Sequence, residues 1–191
     1  MRKFIVAAGF MFLPLSAFSA PESYSVDPMH TYPHFTINHL GFSTMQGRFN
    51  TTSGKIILDQ ANKTGSVNVT IDAASIDTAF KKRDDHLRSP DFLNVMEFPE
   101  ITYKSSKVTI RDNKTATVQG TLTMLGVSKP VQLEVASINC GINPMDPTKK
   151  TFVCGFDASA KIKRSDFGVK FALPAIGDEM VLKFEVEAIR D

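Results

Sequence analysis

A strict alternation of apolar and polar residues recurs along this chain and narrows the folds open to it. Between Ser66 and Asp72, Val67, Val69 and Ile71 fall on one parity, and Asn68, Thr70 and Asp72 on the other. The same period of two appears in Thr31–Leu40, where Phe35, Ile37 and His39 oppose His34, Thr36 and Asn38. It returns in Ala116–Leu125, Val131–Val135, Phe152–Ile162 and Leu182–Ala188. Successive side chains of a strand point to opposite faces, so each run reads as a strand with one apolar face. Tyr24–Val26, Phe42–Phe49, Lys55–Leu58, Ile101–Ser105 and Lys107–Asp112 read as further extended segments, with a hairpin turn at Asp112-Asn113. Pro33 cannot donate to a ladder and must sit near a strand start or at an edge.

A chain with about eight such strands is all-β, either a closed antiparallel barrel or a sandwich. Of the two, only the barrel offers an obvious interior for a ligand. The expected lining is Phe35, Ile37, Phe49, Val67, Val69, Ile71, Leu122, Met124, Phe152, Phe156 and Phe184, a set without a charge. Any molecule enclosed there must be mainly hydrocarbon, because an unpaired polar group would cost several kcal/mol.

One stretch breaks the pattern. Arg83 to Leu93, RDDHLRSPDFL, is dense in charge between runs of β-formers. Phe80 and Leu87 are seven apart, and Lys81–Asp85 and Asp84–Arg88 are spaced for pairing across one helical turn, so a short helix beginning at about Phe80 is predicted. Ser89-Pro90 fits the cap and first position of a second helical turn. Structurally, Arg83, Asp84, His86, Arg88 and Asp91 can form an ion-pair cluster that fixes this helix over a barrel opening. Functionally, they can be a polar rim that meets a ligand head group, with Arg83 or Arg88 facing a phosphate.

Residues 1–19 carry Arg2 and Lys3, an apolar run from Phe4 to Leu15 and small residues before Ala20. This is the layout of a cleavable export signal, with the cut after Ser19, followed by one domain over 20–191. No later stretch reaches the ~20 apolar residues of a membrane-spanning helix. The whole chain has 22 Lys and Arg against 20 Asp and Glu. Arg2 and Lys3 are the whole excess, so the remainder is neutral, which argues against a nucleic-acid partner. In an oxidising compartment Cys140 and Cys154 form a disulfide by default, two buried thiols being the alternative. Cys140 is out of phase with Val131, Leu133 and Val135, so pairing with Cys154 requires a bulge near Ser137 or a strand that ends before Cys140.

Catalytic and metal chemistry find little support. His34 and His39 point to opposite faces of one strand, and no Cys or His pair has zinc-ligand spacing. A hydrolase or lipid-modifying enzyme would need a nucleophile beside His86, oriented by Asp84 or Asp91, and the chain has no Gly-x-Ser-x-Gly elbow.

Several motifs, taken in order, resemble the YceI family. They are His30 with FTINHLG at 35–41, the stretch RDDHLRSPDFL, FPEITY at 98–103, GTLT through GVSKPV at 120–131, RSDFG at 164–168 and IGDE at 176–179. The resemblance implies an exported, lipocalin-like eight-stranded antiparallel barrel whose apolar tunnel holds a long isoprenoid, such as a polyprenyl phosphate or an isoprenoid quinone. It further implies a lipid carrier or store rather than an enzyme, without a cofactor beyond the lipid, often dimeric, and here periplasmic. Pro33 replaces the aliphatic residue usual at its position, and the Cys140–Cys154 pair is not part of the family pattern.

Overall fold

The computed structural model describes residues 20–191; the expected export signal at 1–19 lies outside the described residues. The strands are β1 (Glu22–Val26), β2 (Tyr32–His39), β3 (Ser43–Phe49), β4 (Thr52–Asp59), β5 (Thr64–Asp72) and β6 (Ile76–Asp77). One helix, α1 (Lys81–Arg88), is followed by β7 (Glu100–Arg111), β8 (Thr115–Met124), β9 (Val127–Ile142), β10 (Phe152–Lys163) and β11 (Ile176–Arg190). Antiparallel pairing runs β1-β4-β5-β7-β8-β9-β10-β11, and β1 pairs back onto β11 to close an eight-stranded barrel. The barrel, not the sandwich, is the architecture.

Closure depends on β11 accepting two partners along one edge. Its last residues pair with β1, as Tyr24 faces Arg190, while its first half pairs with β2, from Ile176 opposite His39 to Glu185 opposite Tyr32. β3 and the short β6 extend the sheet beyond β2 and widen that end. Pro33 pairs with Phe184 of β11, and the ladder of β2 with β3 begins only at His34, so its missing N–H interrupts no bond on that side.

Two single-residue bulges keep the interior apolar. Ser105 pairs with Gly120 and Lys107 with Gln119, which leaves Ser106 unpaired. Ile101 and Tyr103 before the bulge and Val108 and Ile110 after it are therefore all buried. The segments expected as separate strands at 101–105 and 107–112 are one strand joined by this bulge, and the turn at Asp112-Asn113 has both residues at positive φ. In β9, Val135 faces Ala158 and Ser137 faces Asp157, so Ala136 is the extra residue. The bulge brings Cys140 opposite Cys154, and the two form the disulfide.

Three expectations need correction. Helix α1 begins at Lys81, because Phe80 has extended backbone and is 54% exposed; Leu87 alone of that pair packs on the core. Ser89-Pro90 opens a turn, not a helix: the amides of Phe92 and Asn94 both donate to the Ser89 carbonyl. The last strand starts at Ile176 instead of Leu182, because residues 176–181 still have β2 to pair with.

Gly120 is a packing requirement. A Cβ there would lie 2.5 Å from Tyr103 Cζ and 2.6 Å from its hydroxyl. The Tyr103 ring occupies that space and its hydroxyl reaches the carbonyls of Val118 and Val131, at 3.1 and 2.9 Å. Gly120→Ala is expected to displace the ring and cost about 2–3 kcal/mol by overpacking. Denaturant midpoints measure this, and adding Tyr103→Leu, which vacates the space, should recover part of the loss.

Candidate functional site

The barrel interior holds two abutting cavities. The outer one, about 340 Å³, lies under α1 and the 168–176 loop; the inner one, about 100 Å³, lies deeper between β4, β5, β7, β8, β9 and β10. Pro33, Ile71, Leu122, Leu182 and Phe184 belong to both walls and form the neck between them. Phe35, Ile37, Phe49 and Met124 face the outer cavity, Val67, Val69 and Phe156 the inner, and Ile71, Leu122 and Phe184 both. Phe152 is the exception among the expected lining residues. It belongs to neither wall, and the guanidinium of Arg190 stacks over its ring at 4.2 Å.

The inner cavity is dry in character. Burial pushes the Tyr103 phenol up to about 12, because the phenolate would have no water to solvate it. Thr52, only 2% exposed and in phase with Ile56 and Leu58, brings the one hydroxyl of this wall that has no partner among the described residues. Thr31, also on this wall, is satisfied by Glu187, whose amide and carbonyl both lie 3.1 Å from its hydroxyl.

The charged segment divides into a staple and a mouth. The Asp84 carboxylate is buried and accepts from the Thr78 amide and hydroxyl. Arg83 donates through Nε to the Thr78 hydroxyl at 2.7 Å and through Nη2 to its carbonyl at 2.6 Å. Arg88 donates to the carbonyls of Ala74 and Ile76 at 2.7 and 2.8 Å, and Asp85 pairs with Lys81 and Arg88. These bonds satisfy backbone groups that the short β6 leaves unpaired and tie α1 to the segment 74–78. Of the five expected rim residues, only Arg83 and His86 line the outer cavity; Asp84, Arg88 and Asp91 act behind the wall.

His86 stands at the opening. Its Nε2 lies 2.8 Å from Asp91 Oδ2, and its ring meets Phe92 and Phe171 edge-on at 5.0 and 5.1 Å. Both His86 and Phe171 line the cavity and also meet solvent, which marks this aromatic trio as the mouth. Asp84, committed to Thr78, does not orient His86. Among the described residues no serine, threonine or cysteine side chain hydrogen-bonds that imidazole.

Arg164 is the positioning residue to which the sequence reading gave no role. Its side chain is 3% exposed, and it donates to the carbonyls of Gly177, Val169, Phe171 and Ile176 at 2.8–3.2 Å. Burial lowers its pKa, and the Asp178 carboxylate opposes that shift. Asp178 in turn accepts from the Ser165 amide and hydroxyl, which hold it below the usual carboxylate range. This buried guanidinium gathers the loop that presents Phe171 at the mouth. The sequence signal for it is the RSDFG motif at 164–168, which contains the arginine but none of the carbonyls it collects. Asp27, His30 and Glu187 form a separate cluster, half-buried at Asp27 and exposed at the other two, with potential ligand atoms within 4.8 Å of one another. The Asp27–His30 contact of 2.8 Å pins the turn between β1 and β2. Arg164→Met should cost about 3–5 kcal/mol, since it strands buried carbonyls. Hydrogen exchange should quicken over 168–177 before it does in β8.

The described residues contain no helix long and apolar enough to cross a membrane. The YceI-like domain matches residues 24–188. Protein YceI of Escherichia coli O157:H7 is 37% identical over 194 residues, covering 100% of this chain and 99% of that protein. The crystal structure of BcnA from Burkholderia cenocepacia superposes with a TM-score of 0.72 at 26% identity, over 85% of this chain and 98% of that one. A polyisoprenoid-binding domain from Saccharophagus degradans shares the fold, with a TM-score of 0.62 at 16% identity over 89% of this chain and 99% of that one. A closed barrel of this topology, with a family match over nearly all its described length, places the chain in the YceI-like family.

Proposed function

We propose that this protein is a periplasmic lipid carrier, exported by a signal at residues 1–19, that holds a polyisoprenoid or similar long-chain amphiphile in its barrel. The observation that carries this reading is the pair of cavities joined at an apolar neck, with polar groups collected at one end. A long hydrocarbon fits that distribution: its chain lies along Phe35, Leu122, Phe184 and Phe156, where burial contributes about 25 cal/mol per Å² of apolar surface. A charged head cannot follow it inward, because the inner wall has only neutral groups to offer. The head stays at the mouth, near His86 and the Nη1 edge of Arg83, whose contact within the protein is the weak acceptor Met45 Sδ at 3.9 Å. A polyprenyl phosphate and an isoprenoid quinone both satisfy this arrangement. The binding activity named for the Saccharophagus degradans domain agrees with the reading.

A second reading rests on the His86–Asp91 pair, an imidazole oriented by a carboxylate at a cavity mouth. On this reading the protein turns over a prenyl or acyl ester, and turnover disappears in His86→Ala with folding intact. The carrier reading is tested at the neck. Leu122→Trp should close off the inner cavity, so that organic extraction and mass spectrometry of the purified protein find a shorter chain, or about tenfold less of the original one. An unchanged ligand, or no lipid in the unmodified protein, would sink it.

A further inference from the structure

The outer cavity opens beside two stretches nearly devoid of charge. Residues 38–47, the tip joining β2 to β3, contain no Asp, Glu, Lys or Arg, and residues 167–177 contain one charge, Lys170. The two are held together: the Leu40 amide donates to the Ala175 carbonyl at 3.0 Å, and His39 faces Ile176. Both contribute to the cavity wall, through His39, Met45, Phe171 and Ile176.

These stretches turn large apolar side chains into solvent. Leu40 is 48% exposed, Phe42 88% and Phe171 45%. The tip is a defined turn, with the Gly41 amide bonded to Asn38 Oδ1 and the Phe42 amide to the His39 carbonyl. Leu40 has φ +55°, a conformation unfavourable for a leucine, which the surrounding bonds impose. Across the mouth, Phe80 and the first residues of α1, Lys81 and Lys82, are exposed. The neighbouring acids are engaged: Asp85 with Lys81 and Arg88, Asp91 with His86, Asp178 with Ser165 and Glu179 with Lys161. Asp166 and, at the start of β7, Glu100 have no such partner among the described residues.

We infer that the mouth docks on an anionic phospholipid bilayer, with Leu40, Phe42 and Phe171 entering the interface and Lys82 and Lys170 facing the head groups. The inference rests on the carrier reading for its purpose: a hydrocarbon chain could pass between membrane and barrel without crossing water. Apolar side chains flanked by lysine are the composition that binds such surfaces. A second copy of the chain is the poorer occupant. Two-fold pairing through the same patch would set Lys170 toward Lys170 and bring no acid from 167–177 or 38–47 to neutralise them.

The test is flotation of the purified protein with phosphatidylglycerol–phosphatidylethanolamine vesicles and with phosphatidylcholine vesicles. Sedimentation mass and extracted lipid are measured on the same preparations. The unmodified protein should float with the anionic vesicles, and Leu40→Ser with Phe42→Ser should bind them about tenfold more weakly, with mass and lipid content unchanged. Lys170→Glu should weaken binding to the anionic vesicles alone. No flotation of the unmodified protein, or equal flotation of the double variant, overturns the inference. So does a double variant that falls from dimer to monomer without affecting vesicle binding, which would make a second copy the occupant. Flotation that is lost in the double variant of a barrel found without lipid would leave docking in place and remove the carrier reading instead.

Discussion

The architecture depends on the two successive ladders along one edge of β11. A strand that paired with β1 alone would close the barrel tightly along its whole length. Because β2 takes over after the turn pinned by Asp27 and His30, and brings β3 and β6 with it, the sheet flares where β2 pairs and stays narrow where β1 does. The difference in size between the outer and inner cavities follows from that handover. The wide end then has more opening than strands can cover, and α1 with the 89–98 segment fills the gap.

Covering that opening creates a hydrogen-bonding problem. The segment 74–78 leaves the sheet with unpaired carbonyls, and the loop 168–177 does the same on the opposite side. Both are solved by arginine: Arg83 and Arg88 collect carbonyls of Ala74, Ile76 and Thr78, while Arg164 collects four on its own. A planar guanidinium with donors on several edges suits this work, and lysine could not reproduce its geometry. Most of the charge at the open end is therefore structural, and what remains for a ligand is one edge of Arg83 and the imidazole of His86.

The period of two made the strands and most of the lining legible, because inward residues on β5, β8, β10 and β11 obey it without interruption. The bulge in β9 was legible as one of two outcomes, since pairing Cys140 with Cys154 required either a bulge near Ser137 or a strand that ends before Cys140, and the structure has the bulge. The bulge at Ser106 was instead read as a break between two strands, because a shift of parity looks the same as a new element until the partner strand is known. Phe152 kept the inward phase and yet lies beyond the cavities, for parity assigns a face but not a depth. The division of labour among Arg83, Asp84, His86, Arg88 and Asp91 depends on Thr78 and on carbonyls at 74–78, and no spacing within RDDHLRSPDFL encodes those partners. Arg164, Thr52 and Phe171 were hidden for the same reason: their roles come from what surrounds them.

The two bulges give the barrel something like a reading frame. Along β7 and β9, whether a residue looks inward depends on the count of residues since the last bulge as well as on its own chemistry. Deletion of Ser106 would merely remove the bulge and leave Val108 and Ile110 inward, whereas flattening the bulge with every residue kept would exchange them for Lys107 and Thr109 at the cavity wall. Regular pairing through Ala136 would likewise turn Ile138 outward and carry Cys140 away from its partner. For this fold a substitution changes one tile of the lining, whereas a bulge flattened without the loss of a residue turns a whole stretch of it inside out.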